Sequence, residues 1–412
     1  MTESAGIDVK FSDAAQLGNR LLEKLDVLRE QAPLFWSDHQ RAWIVTGHAL
    51  VAAALRGALP LSADRVPRVL SFLPEADRTT RAPYAVASLR RMLISLDPPE
   101  HLRMRKLLAR AFSPGIVETY RPHVRSIIDD ALVKADRDVE IEFIESVARL
   151  IPARTILRLM GLQEGLLPRM RHWAHAIQSG FGAGGTTPAM LDETEQVLLE
   201  MRAAFLPEID ARRTDPCNDF ISSLLAPGEG GMQLSEEEIL ATCYLVLIAG
   251  HDTTANTIGL ATLALASDPS AWDYFRQTTD PARLIDGVME LSRRIAMTTT
   301  MGRVVARNFE WQGRRLAKGD IVYLMIGSAN RDPAAFAEPN RIDFARPQAN
   351  NLAFGPGVHF CIGHLLAKLQ LTEFLPALTR RFAGIKILDE NLQWGTTVNF
   401  RGLRSLNVRF LH

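Results

Sequence analysis

The sequence predicts a mainly α-helical fold with a small β region, built as a single domain over residues 1–412. Three observations point there. Apolar residues recur at helical spacing in one segment after another. Between Ile239 and Ile248 apolar positions cover nearly every side of a helix, and such a helix is buried. Only one stretch, Gly302–Ile326, alternates in the manner of paired strands.

Taken in order, Ala14–Glu30 reads as an amphipathic helix that stops before Ala32-Pro33, and short strands follow at Leu34–Trp36 and Ala42–Val45. Ala58–Ser88 is rich in proline, arginine and small residues without a steady period. It reads as a long loop, of the kind that forms functional lids. Helical patterns resume at His101–Phe112, Ile116–Lys134, Phe143–Met160 and Gly165–Ser179. The glycine-rich run from Gly180 to Pro188 breaks the pattern, and Leu191–Thr214 restores it. Within Gly302–Ile326, Gln312-Gly313 and Lys318-Gly319-Asp320 are turn signals.

Composition narrows the function. Lys+Arg and Asp+Glu both number 47, so no global basic field attracts nucleic acid. Cys217, Cys243 and Cys361 are too few and too scattered for a disulfide framework or a zinc site, which fits a reducing cytoplasm. The first residues lack a basic segment and an apolar core, so no signal peptide is expected. The apolar run Ile239–Ala249 is too short to span a bilayer, so no membrane anchor is expected either.

Ser235-Glu-Glu-Glu238 forms a capping box ahead of the buried helix. That helix runs into Ala249-Gly250-His251-Asp252-Thr253-Thr254, and apolar positions resume at Ile258, Leu260 and Leu263. Gly250 could cap a helix end, but the resumed pattern favours a local opening of the hydrogen-bond ladder. A carboxylate and a hydroxyl in a buried helix cost free energy unless paired or hydrated. Their use would be proton delivery in a dry pocket.

The sharpest signal is Phe354-Gly355-Pro356-Gly357-Val358-His359-Phe360-Cys361-Ile362-Gly363. Glycines let backbone approach a ligand closely. Cys361 precedes a helical stretch whose N-terminus stabilises a thiolate. A lone thiolate in a glycine-lined pocket suits an axial ligand of haem iron. The alternative is a buried structural cysteine.

These ten residues resemble the haem-binding loop of cytochrome P450 monooxygenases, and Ala249–Thr254 resembles the distal-helix signature of that family. The resemblance extends to Glu290-Leu-Ser-Arg293, to Pro339-Asn340-Arg341 as the partner of that pair, and to Asp97-Pro-Pro-Glu-His101-Leu-Arg-Met-Arg105. It implies a triangular-prism helical architecture with haem b between a distal and a proximal helix. By the same resemblance Cys361 binds the iron, and Phe354, Gly355, Gly363, Ala249 and Gly250 line the cofactor. His101, Arg105, Arg303 and His359 would reach its propionates. Thr253 and Asp252 would position dioxygen and relay protons, and Glu290, Arg293 and Arg341 would be structural.

The activity so implied is insertion of one oxygen atom from O₂ into an apolar small molecule. Electrons would come from NAD(P)H through a reductase and a ferredoxin-type partner. Arg103, Lys106, Arg110 and Lys368 are expected to form the docking face over Cys361. Walls of the substrate site are expected at Val246, Leu247, Thr298, Val398 and Phe400, in the loop Ala58–Ser88 and near Phe181. Rival readings are an H₂O₂-using peroxygenase, a haem-thiolate sensor and a carrier of apolar ligands. The family's peroxygenases generally lack the acid–alcohol pair.

Overall fold

The computed structural model describes residues 10–18, 20–137, 140–181, 186–395 and 397–412. Helices dominate, with the longest, Glu236–Ser267, at the centre. Its N-terminus is the expected capping box. The Glu238 amide donates to the Ser235 hydroxyl at 3.3 Å, and the Ser235 amide donates to the Glu238 carboxylate at 2.8 Å. Ile239–Tyr244 and Val246–Ile248 are buried on all sides. Around this helix pack Leu150–Met160, Pro188–Thr214, Pro281–Ile295 and, behind the cysteine loop, His364–Arg381.

A five-stranded sheet lies to one side, in the order Leu34–Ser37, Ala42–Val45, Ile321–Leu324, Met301–Val305, Leu61–Ser62. Ala42–Val45 and Ile321–Leu324 run parallel, with Ala42 opposite Ile321, and the remaining pairs are antiparallel. The expected turn at Gln312-Gly313 joins Phe309–Trp311 to Arg314–Leu316. Both turn residues have positive φ, 51° and 70°, as a tight hairpin requires.

Two expectations are corrected. Ala58–Ser88 is not one loop: it holds strand Leu61–Ser62, helix Val66–Leu70 and the start of helix Pro83–Arg91. The second helix begins where the Glu195 carboxylate, from the helix Pro188–Thr214, accepts from the Tyr84 and Ala85 amides at 3.2 and 2.6 Å. A cap supplied from more than a hundred residues away leaves no local signature. Nor does the central helix open at Gly250, because it runs unbroken to Ser267. The Thr253 hydroxyl donates back to the Ala249 carbonyl at 2.7 Å, and Thr257 does the same to Thr253 at 2.8 Å. A Cβ at Gly250 would stand 2.4 Å from Cδ1 of Ile156. The glycine therefore permits close approach of helix Leu150–Met160.

The run Gly182–Gly185 lies outside the described residues, and so does the side chain of Phe181. No helix among the described residues is long and apolar enough to cross a membrane.

Gly250→Ala should destabilise the protein by about 1–3 kcal/mol through overpacking. Adding Ile156→Val should recover part of that loss, measured by thermal melting.

Candidate active site

The loop 354–363 is a rigid turn. The Cys361 amide donates to the Phe354 carbonyl at 2.9 Å, Phe360 to Gly357 at 3.0 Å and Gly355 to Leu352 at 2.9 Å. Gly357 has φ 81°, and a Cβ there would meet the Leu55 carbonyl at 2.5 Å, so only glycine fits. The helix His364–Arg381 starts three residues after Cys361, with Gly363 as its cap. Burial raises the Cys361 pKa, against the Gly363 amide and the charges of Arg105 and Lys368, which favour the thiolate.

Beside the loop is a group of basic side chains without hydrogen-bonding carboxylates among the described residues. His101 is fully buried, and neither ring nitrogen has a hydrogen-bond partner among the described residues. Its ring centroid lies 4.2 Å from that of His359. Arg303 is buried and donates only to its neighbour, the Gly302 carbonyl, at 2.9 Å. Burial lowers Arg303 to about 10, and the nearby Arg65 adds to the effect. Burial, then Arg303, His101, Arg105 and Arg65, push His359 down to about 3. Arg105 is lowered by burial as well. Two imidazoles and two guanidiniums converging without protein acceptors suit a ligand with two carboxylates. Haem meets that requirement, and its iron would take the Cys361 sulfur.

On the opposite side the central helix presents Ala249 and Thr253 to a cavity of about 600 Å³. Val398 and Phe400 line this cavity as expected. Val246 and Leu247 do not; they are buried in the main core, and Leu245 and Ile248 take their place. A helix turns about 100° per residue, so Leu245, Ile248, Ala249 and Thr253 share one face. Thr298 forms a β-bridge with Phe400 but is not on the wall, where Met301 stands instead. Leu89, Met92 and Ile177 also line the wall and were not expected there. Their segments are distant in sequence, and only the spacing 245, 248, 249, 253 was available as a signal.

Thr253 faces the cavity and Thr254 is buried away from it. The Asp252 carboxylate accepts from Gln178 Nε2 at 2.8 Å and from Arg149 Nη1 at 3.4 Å, with His251 Nε2 at 3.5 Å. The acid is thus held by Gln178, Arg149 and His251, one residue before Thr253 in the helix.

Glu290 and Arg293 are fully buried. Arg293 donates twice to Glu290, both at 2.8 Å, and to the carbonyls of Asn330 and Pro339 at 2.7 and 2.8 Å. The expected third member is corrected. The Arg341 side chain is 67% exposed and pairs with Glu338, and only its carbonyl meets Arg293. Arg346 is the partner, with Nε 3.2 Å from Glu290 and its side chain 9% exposed. The Asp343 amide donates to the same carboxylate at 3.0 Å, which turns the following residues inward. Burial opposes ionisation of Glu290, but bonds from Arg293, the Asp343 amide and Arg346 outweigh it and keep its pKa below the usual range.

The fold and this donor set define a haem-thiolate protein. Comparison with known proteins agrees. The family model described as Cytochrome P450 matches residues 187–282 and 288–389. Cytochrome P450 107B1 of Saccharopolyspora erythraea is 32% identical over 375 residues, covering 89% of each chain. The 6-deoxyerythronolide B hydroxylase of the same organism is 31% identical, covering 93% of this chain and 94% of that one. The solved structure of P450BioI with acyl carrier protein ligated to hexadec-9Z-enoic acid superposes with a TM-score of 0.86. It is 27% identical and covers 96% of this chain and 99% of that one. The chain belongs to the cytochrome P450 family of haem-dependent monooxygenases.

Arg346→Ala should leave a buried carboxylate undercompensated and cost about 3–5 kcal/mol. Arg341→Ala, which removes only a surface contact, should cost under about 1 kcal/mol. Melting temperature and haem content of the two variants decide which arginine completes the network.

Proposed function

We propose that this chain is a single-domain, cytoplasmic monooxygenase that carries haem b on Cys361 and hydroxylates or epoxidises an apolar small molecule with O₂. Electrons come from NAD(P)H through a reductase and a ferredoxin-type protein. The carrying observation is the acid–alcohol pair: Thr253 in the cavity wall, with Asp252 tethered beside it. That pair favours use of O₂ over the peroxygenase alternative, because stepwise reduction of oxygen needs protons delivered in order.

When bound, the haem supplies oxygen reduction and oxygen-atom transfer. The chain's own residues do the rest. His101, Arg105, Arg303 and His359 hold its carboxylates. The apolar side chains of Ile248, Leu89, Val398 and Phe400 orient the substrate and exclude water. The Thr253 hydroxyl, now donating to Ala249, can instead hold a water or a proton toward the cavity. Asp252, held by Arg149, Gln178 and His251, would pass on a proton taken from solvent. A substrate of extended apolar surface suits the wall. The relative whose solved structure holds a hexadec-9Z-enoic chain supports that size class.

The expected docking residues need revision. Arg103 pairs with Glu100 and Glu238, Lys106 pairs with Glu229 at 2.6 Å, and Arg110 binds the carbonyls of Pro227 and Ala226. All three turn toward the segment 226–238, where carboxylates already neutralise two of them. A ferredoxin-type partner remains part of the reading, without these three as its charge-steering contacts.

The reduced protein with CO should give the strongly red-shifted Soret band of thiolate ligation, and Cys361→Ser should lose it. A band at the histidine-ligated position in the unaltered protein would overturn the reading.

Thr253→Ala should keep NAD(P)H consumption near the unaltered rate while peroxide rises and product falls several-fold. Thr254→Ala, on the buried face, should stay coupled. The opposite pattern would place the proton-handling hydroxyl one residue further on.

A further inference from the structure

Arg65 is a further cation, beside the cluster expected to hold the haem carboxylates. It lines the substrate cavity, near Val66, Ala249 and Met301, whereas His101, Arg105, Arg303 and His359 do not. Among the described residues its guanidinium makes no hydrogen bond and no ion pair. The buried arginines Arg293, Arg331 and Arg212 are paired with carboxylates, whereas Arg65, half-buried against the cavity, is not. Burial lowers the Arg65 pKa, with the Tyr323 hydroxyl acting weakly the other way.

The position is built. The Asp97 carboxylate accepts from the Ala63 amide at 2.8 Å and from the Ser62 hydroxyl, which ties down the chain just ahead of Arg65. Asp64 caps the next helix through the Val66 amide at 3.1 Å. Gly302 leaves room for the side chain: a methyl there would stand 3.1 Å from Arg65 Cδ and 3.5 Å from Nη1. The backbone around Arg65 is therefore fixed, and Gly302 leaves space for its side chain.

Its charge acts on Arg303 and His359, but its position is on the cavity wall, where none of the four expected carboxylate-holding residues stands. Haem brings two carboxylates, and Arg105 and Arg303 match them in charge while His101 and His359 add donors. Arg65 is left over, facing a wall that is otherwise largely apolar, with Leu89, Ile177, Ile248 and Phe400. A half-buried guanidinium without a protein partner can take a carboxylate arriving from the cavity with two parallel hydrogen bonds. Lys10 and His39, the other basic groups on the lining, are exposed, so pairing there contributes little.

We propose that Arg65 binds the carboxylate of the substrate, so that the enzyme oxidises an apolar carboxylic acid anchored at its charged end. This inference rests on the monooxygenase reading above and specifies its substrate class.

The test is spin-state titration of the ferric holoenzyme at pH 7, where the acids are ionised. Two matched pairs serve as probes: dodecanoic acid with dodecan-1-ol, and abietic acid with abietinol. The unaltered enzyme should bind at least one acid about 10- to 100-fold more tightly than its alcohol, the range expected for hydrogen bonds to a charged partner. Arg65→Gln should bring that pair within about threefold, and Arg65→Lys should keep part of the preference. The CO-bound spectrum of each variant reports separately whether the thiolate haem is intact, so the failure of this proposal is distinguishable from failure of the monooxygenase reading. Equal binding of acid and alcohol by the unaltered enzyme in both pairs overturns the proposal. So does an acid preference that survives in Arg65→Gln. If that variant instead loses haem to apomyoglobin faster while its acid preference is unchanged, the guanidinium serves the haem carboxylates and the proposal falls.

Discussion

The buried carboxylate of Glu290 is the constraint on which the active site depends. It has no exposure to water, and it sits where the helix Pro281–Ile295 meets the irregular chain 338–352. Arg293 bridges from it to the carbonyls of Asn330 and Pro339. Asn330 then receives the Leu352 amide at 2.8 Å, and Asn351 reaches back to the Met289 carbonyl at 2.8 Å. The cysteine loop begins two residues further on. A segment with no regular secondary structure is thus held by charge-assisted bonds to a helix, and Cys361 takes its position from that attachment. Because removing one member leaves a buried charge, the network is all-or-nothing.

The cofactor site shows the opposite electrostatic arrangement. At Glu290 positive and negative groups satisfy one another. Around His101 and His359 the groups are basic and withdrawn from water, and Asp97 acts against that burial on His101 and Arg303. The positive charge of Arg105 and Arg303 there becomes favourable against a dianion. The cavity beside it is walled by residues from many separate stretches, including Leu89, Ile177, Leu245, Met301 and Phe400, so its shape depends on the packing of the whole molecule.

Much of the site was legible in the sequence. The glycine spacing before Cys361 reflects a backbone that needs φ values near 68° and 81° at Gly355 and Gly357, a demand that residue type records directly. The capping box at Ser235 is local in the same way. The helical register placing Thr253 on the cavity and Thr254 in the core follows from periodicity along one element. Contacts between elements were less legible. Arg341 and Arg346 differ by five residues in an irregular segment, where no period says which side chain turns inward. Val246 and Leu247 are apolar like Leu245 and Ile248, and hydrophobicity cannot tell a wall from a core.

By itself, the sequence determined the helical class and the family, and it singled out Cys361, the pair Asp252 and Thr253, and the basic residues His101, Arg105, Arg303 and His359 as candidates for the site. Each is a local pattern whose chemistry is carried by residue type and spacing. Only the tertiary structure decided that Glu195 starts the helix Pro83–Arg91, that Gly250 admits Ile156, that Arg346 closes the buried network and that Arg65 stands in the cavity wall. These four depend on which distant surfaces meet. Close packing and the pairing of buried charge settle that for the whole chain at once, and no short stretch of residues encodes it.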